Sequence, residues 1–226
     1  MAKSKYLERE SLILSAAESL IIRFGYDKTT VQEIAQAAGI SKGAIYLHFH
    51  SKEALFIQLL ISRIQDYAER WLSLIDADPQ GATFTGLYRN SLIALQESTF
   101  LSAIFRQDRR ILGVMIKNEQ FLSLKNKGLV NREFIQAMQE SGAIRNDLSA
   151  EVIAHIMSML SYGLIAMDDV IDADMIPPIG DTIEAIGMIL DHGIRIEGHA
   201  HQDTSKKLVQ QLTGQIREQL LSQKDE

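Results

Sequence analysis

Residues 30–52 read TVQEIAQAAGISKGAIYLHFHSK, and their punctuation decides the fold. Thr30 followed three residues later by Glu33 has capping-box spacing: the hydroxyl takes the amide of Glu33 and the carboxylate reaches back. Val31, Ile34 and Ala35 supply the inward face of a short helix that stops at Ala38-Gly39. After Ile40, Ser41 caps a second short helix, predicted over Lys42–Phe49. In it Ile45 and Phe49, four apart, pack inward on Ile34 and Leu20. Two short helices joined by a glycine turn make a helix-turn-helix.

Working outward, the flanking sequence is helical too. Upstream, Ile13, Ala16, Ala17, Leu20, Ile21 and Phe24 form one stripe that Gly25 ends. Downstream, Ser51 caps a helix running through Leu55, Leu59, Ile64, Ala68 and Trp71 to about Ile75. Asp76 to Thr83, with Pro79 and Gly81, is the clearest break in the chain. Beyond it the apolar spacing predicts helices near 84–98, 100–112, 117–141, 149–171, 181–196 and 204–222. The reading is therefore all-α. Residues 1–50 form the helix-turn-helix domain, reaching to about 65 with the start of the fourth helix, and 51–226 form a larger helical body.

Composition excludes several classes. The 226 residues contain no cysteine, which removes disulfide frameworks, thiolate nucleophiles and Cys-ligated zinc. The N-terminus leads into charged residues rather than an apolar signal core, and the charge-free run Val152–Met167 is short for a membrane span. We therefore expect a soluble cytoplasmic protein with no membrane partner. The net charge of −6 argues against indiscriminate coating of nucleic acid, but it is unevenly spread. Residues 1–65 carry eight Lys/Arg against six Asp/Glu, a balance of +2, and the remainder carries 15 against 23, a balance of −8. Only a docking face must be positive for DNA to bind.

In a helix-turn-helix the second helix enters the major groove with its N-terminal residues at the bases. Lys42 reaches phosphate or a guanine edge, Gly43 and Ala44 are small enough for close approach, Ala44 suits a thymine methyl, and Tyr46 offers a phenol on a rigid ring. Ser51, Lys52 and Glu53 open the next helix, whose free amides together with Lys52 suit a phosphate, as do Thr29, Thr30 and the amides of Val31 and Gln32. Ser41, His48 and His50 complete the candidate DNA-binding set.

Three stretches carry a resemblance to a known family: Phe24-Gly25-Tyr26 followed by Thr29 to Ala35, Ala38 to Tyr46, and Phe49 to Leu55. Over roughly residues 6–65 the chain resembles the TetR-type repressors. The resemblance implies a homodimer with a three-helix DNA-binding head, and a helical body that dimerises through two late helices and encloses an inducer pocket. Carried over residue by residue, it puts Lys42, Gly43, Ala44 and Tyr46 on the recognition helix, and Thr30 and Lys52 at backbone contacts. His50 departs from the proline, glycine or basic residue common there, which bears on one phosphate contact. The match stops near residue 65, so no inducer is inherited from it.

The body offers material for a second role. Seven of the eight methionines lie after residue 114, and flexible thioethers suit adaptable apolar surfaces. Met115, Met138 and Met159, with Trp71, Phe100, Phe105, Phe121, Phe134 and Tyr162, are candidate lining for a small, largely apolar inducer. Ordinary core packing is the competing reading for each. Ile156, Leu160, Gly163, Leu164 and Met167 share a helical stripe, as do Ile183, Ile186, Leu190 and Ile194; paired across a two-fold axis they give a four-helix interface. His199-Ala200-His201 lacks further ligands and reads as a surface loop, so no metal and no cofactor is expected.

Two functions compete. In the first, a ligand-inducible repressor grips a near-palindromic operator in double-stranded DNA, and an inducer shifts the fourth helix, Lys52 to Ile75. In the second, the body is an apolar-ligand carrier or enzyme and the head is structural. No nucleophile–base constellation, phosphate-cradling glycine loop or metal-binding helix pattern is present, which disfavours an enzyme.

Overall fold

A computed structural model describes residues 2–126 and 131–194, with 207, 211 and 214 beyond them. Among the described residues there are eleven α-helices and no strand. They are α1 (Ala2–Phe24), α2 (Val31–Ala37), α3 (Lys42–Tyr46), α4 (Lys52–Ala77), α5 (Phe84–Gln96), α6 (Thr99–Arg106), α7 (Arg109–Leu112), α8 (Glu119–Asn126), α9 (Arg132–Glu140), α10 (Ala150–Ala166) and α11 (Ile179–Ile194). The all-α expectation holds.

Helix ends follow the local chemistry. Gly25 ends α1 at φ +85°, with its amide donating to the Ile21 carbonyl at 2.8 Å. At the end of α2, Ile40 N donates to Ala35 O and Gly39 N to Gln36 O, a Schellman closure with Gly39 in the left-handed region. Thr83 caps α5 by accepting from Gly86 N, and Ser149 caps α10 by accepting from Val152 N.

Two long helices of the sequence reading are broken. The helix expected over 100–112 stops at Arg106. Asp108 N donates to Ala103 O and Gln107 N to Ile104 O, with Gln107 at φ 55°, and the Asp108 carboxylate then caps α7 by accepting from Arg110 N. The helix expected over 117–141 becomes α8 and α9, because Asn131 caps a fresh start by accepting from Phe134 N at 2.9 Å. The segment 204–222 falls almost wholly outside the described residues, and His199-Ala200-His201 does so entirely.

By packing, the chain divides into two units: residues 1–64 with 99–126, and residues 65–98 with those from 127 onward. The core of the first includes Ile13, Ile21, Ile34, Ile45, Phe49 and Phe56. Phe56 meets the edges of Tyr26 and Phe100, with centroids 5.2 and 5.7 Å away. The core of the second gathers Trp71, Leu87, Phe134, Met138, Ile153, Met157, Ile183 and Leu190. There α9 packs on α10, and α11 on α5. The Trp71 indole donates to Leu87 O at 2.8 Å, and the Tyr88 phenol lies 2.9 Å from both Met157 O and the Ser161 hydroxyl. Burial pushes the Tyr88 phenol up to about 12, so it stays a neutral donor. Arg89 joins Asp78 to Glu184, tying α5 to α11.

Candidate nucleic-acid interface

The capping box forms as the spacing demands. Glu33 N donates to Thr30 Oγ1 at 3.2 Å, while Glu33 Oε2 accepts from the amide and hydroxyl of Thr30 at 2.8 and 2.7 Å. The hydrogen bonds from the Thr30 side chain and amide hold the Glu33 carboxyl below the usual carboxylate range. Ser41 accepts from Ala44 N at 3.1 Å and starts α3. On the inner side Ile34, Ile45 and Phe49 are buried, with Leu20 half-buried. On the outer side Lys42, Gly43 and Tyr46 are exposed and Ala44 is half-buried. Val31 and His48 are half-buried and His50 is exposed. The His48 ring stacks on Tyr6 of α1, with centroids 4.1 Å apart.

Two nominated phosphate contacts are otherwise engaged. Thr29 is buried, and its hydroxyl donates to Gly25 O at 2.9 Å, so it holds the turn and faces no solvent. Lys52 turns back onto the same turn: its ammonium donates to Tyr26 O at 2.9 Å and Thr29 O at 3.0 Å, and sits 4.1 Å from the Tyr26 ring centroid. Burial pushes Lys52 below the usual lysine range, and the nearby Asp27 acts in the opposite direction. The same enclosure, with the negative charges of Glu53 and Asp27, pushes the Tyr26 phenol up to about 12.

The turn between α1 and α2 is also gripped from another part of the first unit. Tyr26 N donates to Ile111 O at 2.8 Å, and Val114 N donates to Asp27 Oδ1 at 3.2 Å. A Cβ on Gly25 would lie 2.2 Å from Arg110 O, so the approach of the two backbones requires glycine. Asn118 donates to Glu53 on α4. None of these pairings has a signal in the sequence, because the partners lie far apart along the chain.

The nominated pocket residues are distributed over both units. Phe100, Phe105, Met115 and Phe121 belong to the first unit, whereas Trp71, Phe134 and Met138 lie in the core of the second. Met159 and Tyr162 face outward, 60% and 51% exposed, and line no interior. The nominated interface residues divide as well. Ile156 and Met167 on the α10 stripe are exposed, and Leu160, Gly163 and Leu164 are half-buried. On α11, Ile183, Leu190 and Ile194 are buried within their own unit and Ile186 is half-buried. The outward apolar residues of α11 are instead Met188 and Ile189, exposed by 64% and 72%. A stripe at helical spacing marks a face that is covered; here α5 covers it.

Leu47 is absent from the set nominated by sequence. It follows Tyr46 directly and is 81% exposed. The spacing carries a signal for it: it lies four residues after Gly43 and two after the inward Ile45.

The model of the bacterial regulatory proteins, tetR family, matches residues 13–59, which spans this helix-turn-helix. The HTH-type transcriptional regulator UidR of Escherichia coli (strain K12) is 31% identical over 159 residues, covering 68% of this chain and 78% of that protein. The chain belongs to the TetR family. As a member of that family it is a DNA-binding transcriptional regulator, and the relatives it matches are transcriptional regulators, not enzymes. The HTH-type transcriptional repressor KstR2 of Rhodococcus jostii (strain RHA1) is 29% identical over 149 residues, 64% of this chain and 72% of that protein. Among solved structures, the transcriptional regulator FadR from Bacillus subtilis, in complex with stearoyl-CoA, shares the TetR-family fold. Its TM-score is 0.62 at 20% identity, over 82% of this chain and 99% of that one.

Proposed function

We propose that this TetR-family chain is a cytoplasmic, ligand-responsive repressor that acts as a homodimer on a near-palindromic operator. The observation that carries the reading is the two-sidedness of α3. Ile45 anchors it to the head, while Lys42, Gly43 and Tyr46 stand exposed on the side a duplex would meet. Two such helices related by a two-fold axis read successive major grooves when their centres lie about 34–36 Å apart. Lys42 supplies a cation for phosphate or guanine, Tyr46 a phenolic donor, and residues 1–50 act as the DNA-binding domain, with 51–226 as the ligand-binding and dimerising body.

A second copy of the chain is the cover that suits α10 and α11. The segment Ala150–Asp169 is long and apolar enough to cross a membrane by length and composition, yet one face of α10 is committed to the protein core. Tyr88 anchors that face through Met157 O and Ser161. The uncovered apolar residues, Val152, Ile156, Met159 and Tyr162 on α10 with Met188 and Ile189 on α11, are burial surface for a partner protomer. The inducer we favour is small and largely apolar, bound in the body against residues such as Trp71, Phe134 and Met138. Bacillus subtilis FadR holds stearoyl-CoA on the same fold, which makes long-chain acyl thioesters the first compounds to try. Whatever the ligand, it releases DNA only by binding the released state more tightly than the gripping one.

The test is a mobility-shift titration of the purified protein on the duplex upstream of its own gene, with random duplex as competitor. The expected result is a specific complex that Tyr46→Ala abolishes and a series of acyl thioesters dissolves. Equal affinity for promoter and random duplex would overturn the reading.

A further inference from the structure

We propose that Leu47 is a specificity-determining residue that seats on the C5-methyl group of a thymine in the major groove; this rests on the DNA-binding reading above. The geometry of α3 carries the argument. Leu47 keeps helical dihedrals, φ −75° and ψ −21°, so the helical path extends through it. At about 100° per residue, positions 43 and 47 both lie roughly 160° from position 45 around the axis. Ile45 is buried in the head, so Gly43 and Leu47 form the ridge that stands farthest from the protein.

The two ridge residues are complementary. A Cβ on Gly43 would find only Ser41 Oγ, at 3.9 Å, so nothing inside the chain requires glycine there. Glycine weakens a helix relative to alanine, and here its bareness serves only an approach from outside. One turn further along, Leu47 is the side chain that projects most fully from that bare ridge, 81% exposed between Tyr46 and a half-buried His48. Leucine has no donor or acceptor, so it can contribute neither to phosphate binding nor to hydrogen-bonded base reading. The apolar feature that the major groove offers is the thymine methyl, which cytosine, adenine and guanine lack.

The experiment removes that methyl and nothing else. An operator is enriched from a randomised duplex library with the full-length wild-type protein, and each thymine is then replaced singly by deoxyuridine. Wild-type protein is expected to lose about fourfold in affinity at one thymine per half-site, the equivalent of one buried methyl group, and about 15-fold when both half-sites are changed. Leu47→Ala should bind thymine and uracil operators equally, with an unchanged melting temperature because the side chain packs on nothing it would leave empty. Leu47→Met, which keeps an apolar tip, should retain the discrimination. Identical thymine-to-uracil ratios for wild type and Leu47→Ala, with operator binding intact, would overturn the Leu47 contact alone. Failure of the wild type to enrich any operator would overturn this contact and the DNA-binding reading together.

Discussion

Changing Lys52 to methionine keeps the aliphatic stem and deletes the ammonium that bonds the carbonyls of Tyr26 and Thr29 at 2.9 and 3.0 Å. Hydrogen bonds from a charged donor contribute about 1.5–3 kcal/mol each. Lys52 is only half-buried, so the lower end applies to both bonds, and its charge over the Tyr26 ring adds about 0.5 kcal/mol. Solvent screening at this partly exposed site reduces the sum, leaving about 2–3 kcal/mol for the clamp. Thermal unfolding of Lys52→Met should therefore begin about 4–12 °C lower, at roughly 2–4 °C per kcal/mol for a chain of this size. The decisive measurement is the salt dependence of operator binding. If Lys52 holds the turn and leaves phosphate to other groups, the slope of log K against log salt stays as in the wild type. If each Lys52 instead neutralised one phosphate, its removal from both protomers would make the slope shallower by about 1.8. A shallower slope with unchanged thermal stability would refute the clamp and restore Lys52 to the backbone-contact role the family resemblance implies.

Two glycine substitutions should separate strain from collision. Gly25→Ala meets both a left-handed φ of +85° and the Arg110 carbonyl 2.2 Å from the new Cβ, whereas Gly39→Ala has φ +68° and nothing within 4 Å. Urea titration should show a loss of about 1 kcal/mol for Gly39→Ala and at least about 3 kcal/mol for Gly25→Ala; equal losses would mean that Arg110 gives way freely. On the outward apolar faces, the double change Met159→Asp with Ile189→Asp should convert the proposed dimer to a monomer in sedimentation velocity without altering the helical signal. A persisting dimer would mean that another surface joins the protomers.

The local chemistry of residues 30–52 is legible without coordinates because every signal in it acts within a few residues. Thr30 and Glu33 satisfy each other, Ser41 caps the amide three residues on, and Gly39 takes the positive φ the turn requires. Apolar spacing identifies the helical class and the inward residues Ile34, Ile45 and Phe49 for the same reason. At 100–112 and 117–141, where periodicity predicts unbroken helices, the apolar stripe continues across the breaks, although Asp108 and Asn131 are residues suited to capping a new start. Exposure of Leu47 follows from the orientation of Ile45, and the spacing alone is enough to show it.

By itself, then, the order of the residues determined that this chain is helical, where its helix-turn-helix begins and turns, and which side of α3 faces in, since caps and helical periodicity are contacts a chain makes with its near neighbours. Tertiary structure alone decided that Lys52 bonds carbonyls 23 and 26 residues away, that Gly25 and Asp27 are held by Arg110 to Val114, and that Ile183, Leu190 and Ile194 are covered within their own unit. The physical reason is that an apolar stripe or a charged side chain specifies the chemistry of its partner, while the partner's identity depends on what the folded chain brings alongside.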